Sequence, residues 1–80
     1  MHNLLVYSRE GCHLCEDMID ALNQYENELG FALKVYDIDD DALLREQFNA
    51  LVPLVYFEGR ELMRYYFEPA TLKAALAEAG

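Results

Sequence analysis

Eighty residues suffice for one domain and not two, because separate cores seldom form in units below about 50 residues. Acidic residues outnumber basic ones by 15 to 6, a net charge of −9, while 54% of positions are apolar. The composition is globular rather than disordered, and its charge repels phosphate backbones and anionic bilayers, so neither nucleic acid nor membrane is expected as a partner. The stretch from Met1 to Ser8 lacks the basic, long apolar and small-residue regions of a targeting signal, and no run approaches the roughly 18 apolar residues of a membrane span. The expected setting is the cytoplasm, where thiols stay reduced and two cysteines are not expected to serve as a structural staple.

Asn3 to Tyr7 is a short apolar run ended by Ser8, Arg9, Glu10 and Gly11, which predicts a buried strand and a tight loop. Leu14, Met18, Leu22, Tyr25 and Leu29 then recur every three or four residues, one face of a helix starting near Cys12 and stopping at Gly30. Phe31 to Ile38 reads as a second strand, with Lys34 facing outward. Asp39, Asp40 and Asp41 precede Leu43, Leu44, Phe48 and Leu51; consecutive aspartates there predict the capped start of a second helix rather than a metal site. Leu54 to Phe57 is a strong strand, turned at Glu58-Gly59-Arg60 onto a hairpin partner over Glu61 to Tyr65. Pro69 opens a last helix bearing Leu72, Ala75, Leu76 and Ala79 on one side.

The order is βαβ-α-ββ-α. A right-handed βαβ crossover gives two parallel strands, and the hairpin adds two antiparallel ones. The fold class expected is therefore α/β: a four-stranded mixed sheet flanked by three helices, the three-layer arrangement of a minimal thioredoxin fold, in one domain over residues 1–80.

Cys12-His13-Leu14-Cys15 is the feature that carries chemistry. A C-x-x-C at a strand-to-helix junction reads as a redox motif. A helix beginning at Cys12 places that sulfur beside unpaired backbone N–H groups and the positive end of the helix dipole, which favour thiolate over thiol. One turn later Cys15 comes within reach to close a disulfide. Cys12, nearer the helix end and less buried, is expected to attack first, and Cys15 to resolve the mixed disulfide. Arg9 and His13 are candidates to add positive charge near the sulfur, while Glu10, Glu16 and Asp17 oppose them. A closed zinc site takes about four ligands, and one chain offers Cys12, Cys15, His13 and His2; two cysteines make no four-thiolate cluster without a second chain and glutathione. No metal is expected.

The segment Tyr7-Ser8-Arg9-Glu10-Gly11-Cys12-His13-Leu14-Cys15 resembles the active-site loop of glutaredoxins, which usually have a basic residue where Arg9 stands. Val52-Pro53 resembles the Val-Pro of that family, and Asp37-Ile38-Asp39 and the Gly59 hairpin fall where such chains place similar residues. The resemblance spans the whole chain and is nearest to small bacterial glutaredoxin-like proteins. It implies Cys12 as nucleophile, Cys15 as resolving thiol, and Pro53 as a cis residue shaping a groove. Val52 then offers its backbone N–H and C=O to an extended peptide or to glutathione. It also implies a thiol–disulfide oxidoreductase acting as a monomer on disulfide-containing proteins or small thiols, with no tightly bound cofactor and glutathione as a candidate electron donor.

Two departures from the family stand out. Glutaredoxins commonly carry Pro-Tyr between the cysteines, where this chain has His13-Leu14, and a Gly-Gly pair after the last strand, for which the nearest positions here are Met63 and Arg64, leading into Tyr65, Tyr66 and Phe67. Bulky side chains there are expected to crowd the γ-glutamyl end of glutathione, with Arg64 available to a carboxylate. Thioredoxins place a buried acid six residues before the first cysteine; here that position is Val6. The alternative reading is a redox-inactive binding or adaptor module on the same fold.

Overall fold

The computed structural model describes residues 2–79, so Met1 and Gly80, the ends of the expected domain, lie outside them. The elements follow the order β1 (His2–Ser8), α1 (His13–Leu29), β2 (Phe31–Asp37), a single 3-10 turn (Ile38–Asp40), α2 (Ala42–Phe48), β3 (Leu54–Phe57), β4 (Arg60–Arg64) and α3 (Pro69–Glu78). The sheet order is β2-β1-β3-β4, with β1 and β2 parallel and β3 and β4 antiparallel to their neighbours. This is the mixed four-stranded, three-helix α/β architecture that the periodicity implies.

Two apolar clusters hold the layers together. The larger joins Leu4 and Val6 of β1, Val55 and Phe57 of β3 and Met63 of β4 to Met18 and Leu22 of α1 and Leu72 and Leu76 of α3. Helices α1 and α3 thus share one face of the sheet. The smaller cluster, Cys15, Ile38, Phe48, Val52 and Leu54, lies where α2 meets the opposite face, with Tyr7, Cys12, Leu44 and Tyr56 packed against it. Burying apolar area of this kind is worth about 25 cal/mol per Å², the main favourable term in so small a domain.

Helix ends match their sequence signals. Gly30 takes the left-handed conformation at the C-cap of α1 (φ 71°) and donates its N–H to the Glu26 carbonyl. Pro69 sits in the first turn of α3, where its missing N–H costs nothing. The β3–β4 turn holds Glu58 at φ 54° and Gly59 at φ 76°, the paired left-handed geometry of a two-residue hairpin loop. The bulge between Val55 and Tyr56 shifts the register of the following pairs.

Three expectations are corrected. The second strand ends at Asp37 rather than Ile38, which is fully buried in the 3-10 turn. Alternation along β2 fails toward its end, where Val35 and Tyr36 are both exposed, because β2 is an edge strand that the helices cover incompletely. Leu43, placed on the inner face of the second helix by its spacing, is 74% exposed: α2 is only seven residues long and buries Phe48 alone. Of the three aspartates expected at the helix start, Asp41 is the one that caps α2, while Asp37, ahead of them, caps the 3-10 turn. The Asp37 carboxylate accepts from the Asp39 N–H at 2.8 Å at the 3-10 turn, and Asp41 accepts from Leu43 N–H at 2.8 Å at the start of α2.

Asp41→Ala should therefore cost about 1 kcal/mol by urea denaturation, whereas Leu43→Ala should change stability by less than about 0.5 kcal/mol, as exposed positions do. A Leu43 penalty as large as that of a core leucine would show that α2 packs differently.

Candidate active site at the start of the first helix

The β1–α1 connection turns sharply at Gly11, whose φ of 77° belongs to a region that side chains disfavour, and this delivers Cys12 to the N-cap of α1. Cys12 has extended backbone angles (φ −100°, ψ 109°), and its Sγ accepts the Cys15 N–H at 3.2 Å. The sulfur does here what a Ser or Asp oxygen does at other helix starts, satisfying one of the first-turn donors. Cys12 is partly exposed and Cys15 is 1% exposed; both are free thiols.

Burial, then a side-chain hydrogen bond between the two cysteines, push the Cys15 thiol from its ordinary 9.0 up to about 12, against an opposing backbone hydrogen bond from Arg9. The two cysteines are thus unequal: one at the surface on a helix end, the other inside and holding its proton. Val6, at the position of the thioredoxin acid, is fully buried in the larger apolar cluster, so no carboxylate from that position reaches Cys15.

The other expected site residues are placed as follows. The Val52–Pro53 peptide is cis; Val52 packs in the same small cluster as Cys15, and Pro53 is buried with its carbonyl accepting the Tyr65 N–H at 2.8 Å. His13 stands in solvent, its side chain 96% exposed with Nδ1 3.6 Å from Glu16 Oε2. Arg9 spends its hydrogen bonds elsewhere: Nε and Nη2 grip the two Asp39 oxygens at 3.1 and 2.9 Å, and Nη1 reaches Asn49 Oδ1 at 3.1 Å and the Asn49 carbonyl at 3.3 Å. Its guanidinium fastens the β1–α1 loop to the 3-10 turn and the end of α2, and Asp39 holds it still more firmly in the charged form.

Asp39 was legible only as part of a helix entry and Asn49 was not singled out, since contacts 30 and 40 residues apart leave no local signal. Tyr65 is the other residue that the spacing does not single out. It adopts φ 69° directly after β4, and its hydroxyl donates to the Ala50 carbonyl at 3.3 Å, so both its ends hold the loop that contains Pro53. This left-handed residue, rather than Met63, occupies the turn after the last strand; Met63 is 3% exposed and packs in the larger apolar cluster, so its side chain does not stand in the open where it was expected to crowd the γ-glutamyl end of glutathione. Arg64, expected to be free for a carboxylate, is closed onto Glu61 at 2.7 and 3.1 Å.

Residues 3–77 match the family described as Glutaredoxin-like domain (DUF836). The chain belongs to this family. It is 30% identical over 77 residues to an uncharacterized protein of Mycobacterium tuberculosis, covering 90% of this chain and 79% of that one. Among solved structures it is similar to protein Ne2328 of Nitrosomonas europaea (37% identity, TM-score 0.81, 92% of this chain and 89% of that one). It is also similar to protein XcR50 of X. campestris (35% identity, TM-score 0.76, 96% and 99% covered). Thioredoxin 1 of Thermosipho africanus shares the fold at 16% identity, with a TM-score of 0.66 over 96% of this chain and 97% of that one. The glutaredoxin-like fold with its Cys12–Cys15 pair suggests a capacity for redox chemistry. No helix among the described residues is long and apolar enough to cross a membrane.

Two measurements test the inequality of the thiols in this glutaredoxin-like chain. Iodoacetamide at neutral pH should modify Cys12 well before Cys15, read by peptide mass; the reverse order would contradict the geometry. Because the folded Cys15 keeps its proton where the unfolded chain loses it, stability should fall as pH rises from about 9 toward 12. Chemical denaturation across that range should show a steeper decline for the native chain than for Cys15→Ala.

Proposed function

We propose that the chain is a thiol–disulfide oxidoreductase of cytosolic disulfides, working as a monomer on disulfide-containing proteins or small thiols. The observation that carries this reading is Cys12 Sγ at the N-cap of α1, partly exposed and hydrogen-bonded by Cys15 N–H, with Cys15 buried behind it. Negative charge on an attacking sulfur meets an aligned donor and the positive helix end.

In the forward direction Cys12 Sγ bonds to one sulfur of the substrate disulfide, the substrate S–S bond breaks, and one thiolate leaves. Cys15 then attacks Cys12 Sγ, the mixed disulfide breaks, and the second substrate thiol departs with the proton that Cys15 held. With no acid at position 6, that proton passes to the departing sulfur rather than to a side chain from there. The protein is left oxidised by two electrons and the substrate reduced by two. Re-reduction requires a thiol donor, for which glutathione and a thioredoxin-reductase-type enzyme are the candidates.

Val52, just before Pro53 and packed in the cluster of Cys15, is proposed to pair through its backbone with an extended substrate segment. Such strand addition supplies affinity without demanding a particular side chain. Arg9 acts in this scheme on the loop's position, since its hydrogen bonds go to Asp39 and Asn49.

Reduced protein mixed with bis(2-hydroxyethyl) disulfide should become oxidised with release of two equivalents of free thiol. Cys12→Ser should fall to the uncatalysed rate, and Cys15→Ser should stop at a one-to-one mixed disulfide visible by mass. An inert dithiol that forms no disulfide with any acceptor would leave the adaptor reading in its place.

A further inference from the structure

The end of the sheet that carries the thiols also gathers charge that the exchange scheme does not use. Strands β1, β2 and β4 finish there and β3 begins there, so the β1–α1 loop, the β2–α2 connection, the Val52–Pro53 loop and the turn after β4 share one rim. Glu10, Glu16 and Asp17 flank Cys12 and Cys15 in sequence and are exposed; Glu16 acts on Cys15 through space. Asp37, Asp40 and Asp41 come from the connection to which Arg9 fastens the active-site loop.

The cations on the same rim are already matched. Arg9 closes on Asp39 through both carboxylate oxygens, and Arg64 closes on Glu61 in the same two-pronged way. Each pair is neutral as a unit; of the six acids named above, Asp37 still acts on Arg9 through space and Glu16 lies 3.6 Å from His13 Nδ1, while Glu10, Asp17, Asp40 and Asp41 form no ion pair with either arginine. Arg45 stands in the last turn of α2, and Lys34, Arg60 and Lys73 stand on β2, at the start of β4 beside the hairpin turn, and on α3. The helix dipole favours an anion only within the first turn, at the sulfur itself. A diffusing substrate meets the summed field of the carboxylates, which reaches about 8–10 Å at physiological salt.

Resting on the oxidoreductase reading, we propose that the Cys12–Cys15 dithiol selects cationic disulfides, those flanked by ammonium or guanidinium groups, over the anionic disulfide of glutathione. The covalent step is unchanged: Cys12 Sγ forms a bond to one substrate sulfur as the substrate S–S bond breaks, Cys15 displaces the second, and the dithiol ends as a disulfide. What the rim governs is the rate of encounter. Both arginines that a glutathione carboxylate would seek are committed within the chain.

The test is single-turnover oxidation of the fully reduced protein, which needs no added reductant, followed by loss of free thiol. Three disulfides are compared: cystamine, with two ammonium groups; bis(2-hydroxyethyl) disulfide, neutral; and glutathione disulfide, net anionic. Each rate is divided by that of the same disulfide with 2-mercaptoethanol, so that leaving-group chemistry cancels. Near 10 mM ionic strength the normalised rate for cystamine should exceed that for glutathione disulfide by roughly 10-fold or more, the low end of electrostatic steering. At 1 M salt, where screening acts over about 3 Å, the ratio should approach one. Glu10→Gln combined with Asp17→Asn should lower the low-salt ratio, a comparison made within one folded protein and thus independent of its overall activity. Equal normalised rates at low salt, a preference for glutathione disulfide, or a ratio indifferent to salt would each overturn the proposal while the neutral disulfide still reports an active dithiol. Failure of all three disulfides to react would instead remove the oxidoreductase reading, and this inference with it.

Discussion

The contact on which the site depends is the hydrogen bond from Cys15 N–H to Cys12 Sγ. It is a helix cap made by a thiol. The first turn of any helix leaves N–H groups without partners, and this chain answers one of them with sulfur instead of the oxygen usual at such positions. The same geometry fixes Cys12 at the surface and, one turn later, drives Cys15 into the small cluster with Ile38, Phe48, Val52 and Leu54. Two identical side chains acquire different roles because one ends a loop and the other begins a core.

Stabilising that arrangement falls to contacts distant in sequence. Arg9 ties the loop before Cys12 to Asp39 and Asn49, and Tyr65 ties the turn after β4 to Ala50 and Pro53. Neither touches the larger cluster, which does the bulk of the folding. The domain therefore separates its tasks: α1 and α3 against one sheet face supply apolar burial, while the rim is organised by polar and aromatic contacts. The 17-residue α1 takes part in both, its first turn in the site and Met18 and Leu22 in the core.

Much of this was legible in the sequence, for local reasons. The spacing of Leu14, Met18 and Leu22, the stop at Gly30, the Leu54–Phe57 run and Pro69 each encode an element through its own period or punctuation, and the C-x-x-C marked the junction at which Cys12 caps α1. The outer half of β2 and the face of α2 were not legible, because exposure at Val35, Tyr36 and Leu43 is decided by how far neighbouring elements extend. Arg9 illustrates the same limit within the site. Its nearness to Cys12 in sequence suggests a charge aimed at the sulfur, whereas a carboxylate 30 residues away captures the guanidinium. Tyr65 was hidden for another reason: a left-handed backbone angle at a non-glycine residue has no signature in composition.

The sheet face that α2 covers carries a run of rings, with Tyr7 stacked on Phe48 at 4.5 Å and on Tyr36 at 6.0 Å and set edge-on to Tyr56 at 5.7 Å. The chain has no tryptophan and six tyrosines. Tyr7 and Tyr56 pack on the very cluster that contains Cys15, so two of the six tyrosines report on the surroundings of the buried thiol. The molecule thus keeps two of its chromophores on the cluster that holds the buried thiol, in residues whose first duty is packing.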